Sequence, residues 1–410
     1  MEEVVYEESD RIDLVIFING LALFAIELKF NPSGQSVQDA IKQLKGRNPK
    51  NRLFRFEQGV LASFAVDTME IYMTTQLKGQ ETYFLPFNMG KGEGIEMGSG
   101  NPHNPDGVDT DYLWLDVLTK DSILQLIESF IFFEMDKHKK KTLIFPRYHQ
   151  RRAVSRLLED MKVNHTDSNY LIQHSAGSGK TNTIAWLAHS LVSLHDEQNQ
   201  NIVDTVLIVT DRIVVDRQLQ EAVKEISHKP GVVKVMGDKE TSSDLADAIA
   251  GNTKIIATTI HKFAQINQSN WMSVGNTAKK KFAILIDEAH SSTTGSYMSS
   301  VSQVLTETDT EDGTIDEIQE VSVADAIEQE IARTGKQDNV SIIAFTATPK
   351  ATTLQLFGTT QADGSKAPFD VYSMKQAIEE GFILDVLDNY TTYKTYYKLN
   401  KAVEEDPELK

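Results

Sequence analysis

The eight residues HSAGSGKT, 174–181, constrain this chain more than any other stretch. Glycines and small hydroxyl residues followed by Lys and Thr suit a loop that wraps backbone N–H groups around an anion at a helix N-terminus. Such a loop works between a strand and a helix. Here YLIQ precedes it and the amphipathic run TNTIAWLAHSLV follows. From 148 to 349 the pattern repeats, with YLIQH, TVLIVT, KIIATT, FAILID and SIIAFTA as short β-branched runs, each followed by turn or helical sequence. That alternation calls for an α/β domain with a parallel sheet and helices on both faces.

The loop departs from the usual pattern at one place, because His174 stands where the first glycine is expected. Ser175, Gly177, Ser178, Gly179 and the following amides would surround the phosphates of a nucleotide, Lys180 would contact the β- and γ-phosphates of ATP, and Thr181 would bind Mg²⁺. The run FAILIDEAH ends in Asp287 and Glu288, carboxylates at the C-terminal edge of a buried strand, where ligands of open α/β sheets bind. Asp287 would hold Mg²⁺ through water, and Glu288 would be the general base for the hydrolytic water.

Residues 11–120 read differently. RIDLVIFI, LALFAIELK, MEIYMTT and ETYFLPF are β-rich runs with a helical stretch at 36–45, and the Gly- and Asn-rich span 89–107 is a loop. Asn19-Gly20 between two apolar runs is a strong hairpin signal. Asp13 lies on the first strand, and Glu27 and Lys29 lie two apart on the second, on one face of it. Asp, Glu and Lys gathered this way suit phosphodiester hydrolysis: Asp13 and Glu27 would bind Mg²⁺ while the Lys29 ammonium orients the attacking water. Register decides whether the site assembles. With a two-residue loop and regular pairing, Ile18 faces Leu21, Asp13 faces Ile26, and Glu27 points to the other side of the sheet. A three-residue loop with Gly20 in a G1 bulge shifts the register by one and puts Asp13 on the face of Glu27. The reading predicts that bulge or an equivalent one. Gln43, on the following helix, could reach the same site or sit on the surface.

A segment at 121–136 has apolar residues at helical spacing (Ile123, Leu124, Ile127, Phe130 and Ile131), and then a lysine run begins. The formal net charge of -18 argues against a uniformly basic nucleic-acid coat. Phosphate contacts need local Lys and Arg, and the candidates are Lys137, Lys139, Lys140 and Lys141 with Arg147, Arg151 and Arg152, and separately Lys279, Lys280 and Lys281. The chain has no cysteine, which excludes disulfide scaffolds and thiolate metal sites and permits a cytoplasmic setting. Its longest apolar stretch, 14–26, is shorter than the roughly 20 residues that span a bilayer, and the acidic start MEEVVYEESD is unlike a secretory signal. These features predict a soluble protein with no membrane partner.

HSAGSGKT, IDEAH and FTATP (345–349) resemble motifs I, II and III of superfamily 2 helicases and translocases. PRYHQ, 146–150, looks like their adenine-recognising Q motif, and TTIHKF, 258–263, looks like a DNA-contacting motif. With D…ELK in front, and MTTQLKGQETYFLPFN and GNP…TDYLW between, the chain resembles the R (motor and nuclease) subunit of type I restriction enzymes over almost its whole length. The resemblance implies a PD-(D/E)xK nuclease-like domain at 1–120, N-terminally incomplete, with Asp13, Glu27 and Lys29 as its motif and Gln43 where related nucleases carry a helical glutamine. It further implies a helical and basic linker at 121–147, a RecA-like helicase domain at 148–352, and the incomplete start of a second RecA-like domain at 353–410. Gln150 would select adenine, and Thr346 and Thr348 would couple nucleotide state to DNA movement. The family cuts and translocates double-stranded DNA, uses ATP and Mg²⁺, and works with modification (M) and specificity (S) subunits that hold S-adenosylmethionine. A stand-alone nuclease-helicase of repair or phage defence, and a non-catalytic DNA-binding module, are the competing readings.

Overall fold

The computed structural model describes residues 4–5, 11–135, 138–166, 168–210, 213–226, 231–237, 239–259, 280–287 and 339–385. The first sheet has five strands, β1 (Leu14–Ile18), β2 (Leu21–Leu28), β3 (Ala62–Val66), β4 (Ile71–Thr74) and β5 (Leu85–Pro86), in that spatial order. β2 and β3 run parallel, and the other pairs are antiparallel. A parallel pair needs a crossover, which α1 (Val37–Gly46) supplies. Ser36 and Asp39 form a capping box at its start, and Val37, Ala40, Ile41 and Leu44 face the sheet. The opposite face carries Phe24, Phe64 and Phe87, which pack around Phe145, the first two edge-on and Phe87 tilted.

The hairpin between β1 and β2 resolves the register question in an unexpected way. Ile18 does pair with Leu21, so the loop is only Asn19-Gly20, and both residues have positive φ (50° and 80°), as a type I′ turn requires. The three-residue loop is therefore absent. The shift lies instead within the strands: Phe17 pairs with Ala22 but Ile16 pairs with Phe24, so Leu23 is the extra residue of a β-bulge. Beyond the bulge Leu14 faces Ile26, and continuing that register sets Asp13 opposite Glu27. On β2, Ala25 packs with the α1 cluster while Phe24 and Ile26 pack on the other side. Glu27 and Lys29 share the parity of Ala25 and thus face α1.

The segment expected as one helix at 121–136 divides. A helix at Lys120–Gln125 passes into a widened turn at Leu126–Phe130, and the strand Phe132–Met135 then pairs antiparallel with Lys141–Ile144. Widening rotates the apolar face, so Ile123, Leu126 and Phe130 are buried while Leu124 and Ile127 stay exposed. The Trp186 indole N–H donates to the Phe130 carbonyl at 2.9 Å where the turn ends.

The second sheet has seven strands, all parallel. They are β6 (Tyr170–His174), β7 (Thr205–Thr210), β8 (Val233–Val235), β9 (Ile255–Thr259), β10 (Phe282–Asp287), β11 (Val340–Thr346) and β12 (Asp370–Tyr372), in the order β8-β9-β7-β10-β11-β6-β12. β6, β7, β9, β10 and β11 are the five runs read from the sequence. β12 was not anticipated. It pairs with β6 through Ile172–Asp370 and His174–Tyr372, so the chain beyond 352 first completes this sheet before any further domain. A boundary at 352 is thus too early, because a three-residue strand leaves no periodic signal. Among the described residues no helix is long and apolar enough to cross a membrane.

Gly20 sits at φ 80° with open space where a Cβ would lie, so only backbone conformation opposes a side chain there. Gly20→Ala is expected to lower stability by about 1 kcal/mol in a denaturant melt without changing the fold.

Candidate functional site

Two groups of side chains gather, one at the end of each sheet. In the first, Glu27 is fully buried and each of its carboxylate oxygens has a cationic partner. Lys29 Nζ lies 3.1 Å from Oε1, and Arg47 Nη2 lies 3.2 Å from Oε2. Asp13 is half-buried and its Oδ2 accepts the Leu28 backbone N–H at 2.7 Å. Burial, and then the negative charge of Asp13, push the Glu27 carboxyl above its ordinary value, while Lys29 and Arg47 pull it back. The structure therefore brings Asp13, Glu27 and Lys29 together on one face. It does not bring Gln43, which is exposed on α1 and has no hydrogen bond to the three. The side chain that does arrive is that of Arg47, the residue that caps the end of α1 one turn beyond Gln43, and nothing in the sequence marks it. Two carboxylates beside a cation offer hard oxygen donors of the kind Mg²⁺ takes. Among the described residues no group of three or more His, Asp or Glu side chains is placed to hold a metal, so an ion here would share the carboxylate pair with water and phosphate.

The second group surrounds the glycine loop. Gly177 and Gly179 have φ of 71° and 78°, and α3 (Lys180–Leu191) begins directly after them. The helix before β6, α2 (Tyr148–Asn164), together with the residue preceding it, grips this loop through three successive carbonyl oxygens. The Arg147 guanidinium donates to Gly177 O at 2.8 Å, His149 Nε2 lies 3.0 Å from Ser178 O, and the Gln150 amide donates to Gly179 O at 3.0 Å. Each peptide plane carries its N–H opposite its C=O, so the Ser178 and Gly179 carbonyls, turned toward α2, send the next N–H groups to the other side, where an anion needs them, while the Ser178 N–H closes the loop onto the Ser175 carbonyl at 3.3 Å. Burial, followed by the charge of Arg147, holds the His149 imidazole well below its ordinary value, and as a neutral ring it still donates through one nitrogen. Gln150 is thus engaged with the loop and, through its Oε1, with the Arg147 backbone N–H.

Ser175 and Ser178 are buried, and the Ser175 N–H donates to Tyr372 O on β12. Lys180 Nζ turns back to the His174 carbonyl at 3.4 Å, and Thr181 is half-buried in the first turn of α3. Asp287 ends β10 and pairs with Phe345, while Thr346 ends β11 and pairs with Gln173 on β6. Strands about 4.8 Å apart put the ends of β10 and β6 about 10 Å from each other, room for a phosphate and a cation between Asp287 and the loop. Thr346 is buried, and its hydroxyl accepts the Thr348 N–H at 3.3 Å. Glu288, and the part of TTIHKF after 259, lie outside the described residues.

His174, the residue in place of the first glycine, is fully buried and its Nε2 lies 2.9 Å from Asp370 on β12. Asp370 also takes Arg152 through two bonds of 2.9 and 3.0 Å, and Arg156 at 3.3 Å. Burial alone would raise the Asp370 carboxyl, but the Arg152 charge and the His174 hydrogen bond outweigh it and hold the group at about 2. This corrects the reading of Arg151 and Arg152 as DNA contacts, since Arg152 is committed to Asp370 and Arg151 to Asp116 at 2.7 Å. Lys139, Lys140 and Lys141 remain exposed, whereas Lys280 caps the end of the helix Ser242–Ala250 through the carbonyls of Ile249, Ala250 and Gly251. Lys137 and Lys279 lie outside the described residues.

A parallel sheet with a phosphate loop after one strand and an aspartate at the end of the next but one defines a P-loop ATPase. The chain belongs to the SWI2/SNF2 ATPase family, whose profile matches residues 149–408. Residues 1–82 match a second profile, type I restriction enzyme R protein N terminus. Among relatives, a Methanocaldococcus jannaschii protein with the provisional name type I restriction enzyme MjaVIIIP endonuclease subunit is 26% identical over 322 residues, which cover 74% of this chain and 30% of that protein. The type I restriction enzyme SauCOLORF180P endonuclease subunit of Staphylococcus aureus is 25% identical over 289 residues, covering 70% and 28%. A solved fragment provisionally assigned to the HsdR subunit of a type I restriction enzyme from Vibrio vulnificus YJ016 overlays with a TM-score of 0.35 and 14% identity, covering 99% of this chain and 63% of that one. The resemblance drawn from the motifs, to the R protein of type I restriction enzymes, is borne out. The chain spans less than a third of the length of the relatives it matches.

An asparagine at 370 keeps one acceptor oxygen but removes the charge that Arg152 needs and sets an amide donor among the donors of Arg152 and His174. Asp370→Asn is expected to destabilise the ATPase half by roughly 3–5 kcal/mol. A depressed carboxylate stabilises the fold above its unfolded value of 3.8, and that contribution is lost as pH falls through about 2. Wild type should therefore lose about 2 kcal/mol across this window, a dependence the Asn variant lacks, read from denaturant melts at stepped pH.

Proposed function

We propose that this chain carries the DNA-cleaving site and the first ATPase lobe of the R subunit of a type I restriction-modification system. The observation that supports this most is the joining, in one chain, of an R-protein N terminus bearing the Asp13–Glu27–Lys29 cluster to a SWI2/SNF2 ATPase domain. The whole protein would cut double-stranded DNA with Mg²⁺, translocate it with ATP, and act in the cytoplasm with M and S subunits that hold S-adenosylmethionine.

In the cleavage site Asp13 and Glu27 are the proposed Mg²⁺ ligands, and Lys29, poised beside Glu27, orients the attacking water. A bound Mg²⁺ supplies Lewis-acid polarisation of the phosphate and lowers the barrier to attack. In the ATPase site the loop from Ser175 to Gly179 cradles the phosphates, with Gly177, Gly179 and the following amides turned to them, Lys180 leaves the His174 carbonyl to meet the β- and γ-phosphates, and Thr181 and Asp287 hold Mg²⁺. Glu288 is the proposed general base. Gln150, seated between the loop and Arg147, would read adenine, and Thr346 and Thr348, linked to each other at the end of β11, would pass nucleotide state to DNA movement.

The full-length subunit in its complex tests both sites. Lys180→Ala is expected to lower DNA-stimulated ATP hydrolysis by about 100-fold or more. Asp13→Ala and Lys29→Ala should each abolish plasmid cleavage while leaving ATP hydrolysis within about twofold of wild type. Undiminished cutting by either variant would remove the nuclease assignment, and unchanged hydrolysis by Lys180→Ala would remove the phosphate-loop assignment.

A further inference from the structure

The first site holds one more charged group than its sequence motif does. Glu27 has two carboxylate oxygens, and each is taken by a different cation, Lys29 from its own strand and Arg47 from the end of α1. With Asp13 the four groups sum to zero charge: two negative and two positive. Arg47 is well placed for its position to matter. Its guanidinium also bonds the Arg11 carbonyl, and its side chain is only 10% exposed, at the rim of the cluster. The helix beneath it is fixed at its far end, where Asp67 accepts the Val37 N–H at 2.7 Å and the Asn31 amide at 3.0 Å. Asp67 is buried and also accepts the N–H groups of Met69 and Glu70, so the start of α1 is tied to the end of β3. At the other end the Arg47 N–H donates to the Leu44 carbonyl at 3.1 Å, so α1 is fixed at both ends and the guanidinium is placed beside Glu27 by a rigid helix.

A divalent cation taking Asp13 and Glu27 changes the sum of the four groups from zero to two positive. A guanidinium beside Glu27 is then repelled by the ion, and one oxygen of Glu27 is no longer available to it. A DNA phosphate drawn to the same ion brings a negative charge within a few ångströms of where the guanidinium already sits. Guanidinium matches phosphate geometry with two parallel donors, which an ammonium cannot do. We propose that Arg47 is a phosphate-positioning residue of this site, holding Glu27 while no divalent cation is bound and passing to the DNA phosphate when the cation takes the carboxylate. The proposal rests on the nuclease reading of Asp13, Glu27 and Lys29 and adds to it the group that contacts the substrate.

Mn²⁺ binding by calorimetry without DNA, and plasmid cleavage at saturating Mn²⁺, are measured on the full-length subunit, the cleavage in its complex, for wild type, Arg47→Met and Arg47→Lys. Removing the competitor for Glu27 should make Arg47→Met bind Mn²⁺ about threefold more tightly or better, yet cleave about tenfold more slowly or worse. Arg47→Lys keeps the charge and loses the paired donors, so Mn²⁺ affinity should stay near wild type while cleavage falls about three- to tenfold. If the Met variant melts early, the Lys variant decides alone. Unchanged cleavage in both variants, or Mn²⁺ binding and cleavage falling together as for a brace, would overturn the role of Arg47. Absence of cleavage by wild type would instead overturn the nuclease reading beneath it.

Discussion

A charge removed from water is costly unless an opposite charge or a hydrogen-bond donor meets it, and two buried carboxylates impose that demand on the two halves of this chain. Glu27 sits on an otherwise apolar strand and recruits Lys29 and Arg47. Asp370 opens the short seventh strand of the ATPase sheet and recruits Arg152 and His174. Glu27 lies near the end of its strand and Asp370 at the start of its own, and each ties a helix to that strand. The first fixes the end of α1 against β2. The second fixes α2 against β6 and β12, and α2 in turn grips the phosphate loop through His149 and Gln150, with Arg147 just before it.

Everything at the first site depends on one extra residue. Without the bulge at Leu23, the type I′ turn at Asn19-Gly20 would dictate a register with Asp13 opposite Ile26, and the two acids would face opposite sides of the sheet. A bulge costs a ladder hydrogen bond and an unpaired residue, and here it sets the acids on one face. Asp13 then accepts the Leu28 N–H, next to Glu27 and across from it, and its negative charge is one of the forces raising the Glu27 carboxyl.

Legibility followed the strength of local signals. The five buried strands of the ATPase sheet were readable because β-branched runs separated by helical sequence have no other use, and the glycine loop was readable because few residue types fit its backbone. The need for a register shift between Asp13 and Glu27 was also readable, from parity alone. Its place was not, since both strands are apolar on both faces and no residue type marks Leu23 as the one left unpaired. Arg47 and Asp370 were invisible for a different cause: each gains its meaning from a partner 20 or more residues away, and neither breaks a pattern in its own segment. The arginines at 147, 151 and 152 look the same in the sequence whether they meet phosphate or, as here, a loop carbonyl, an exposed aspartate and a buried one.

A bulge, and not the hairpin loop, sets Asp13 and Glu27 on one face, where we propose that they hold a divalent cation. Crystals of the protein soaked in Mn²⁺ test it most directly through anomalous scattering. A peak is expected within coordination distance, about 2.2 Å, of a carboxylate oxygen from each of Asp13 and Glu27, with Leu23 unpaired between Ala22 and Phe24, the partners of Phe17 and Ile16. A peak that touches neither carboxylate, or Asp13 and Glu27 lying on opposite faces of the sheet, would contradict it.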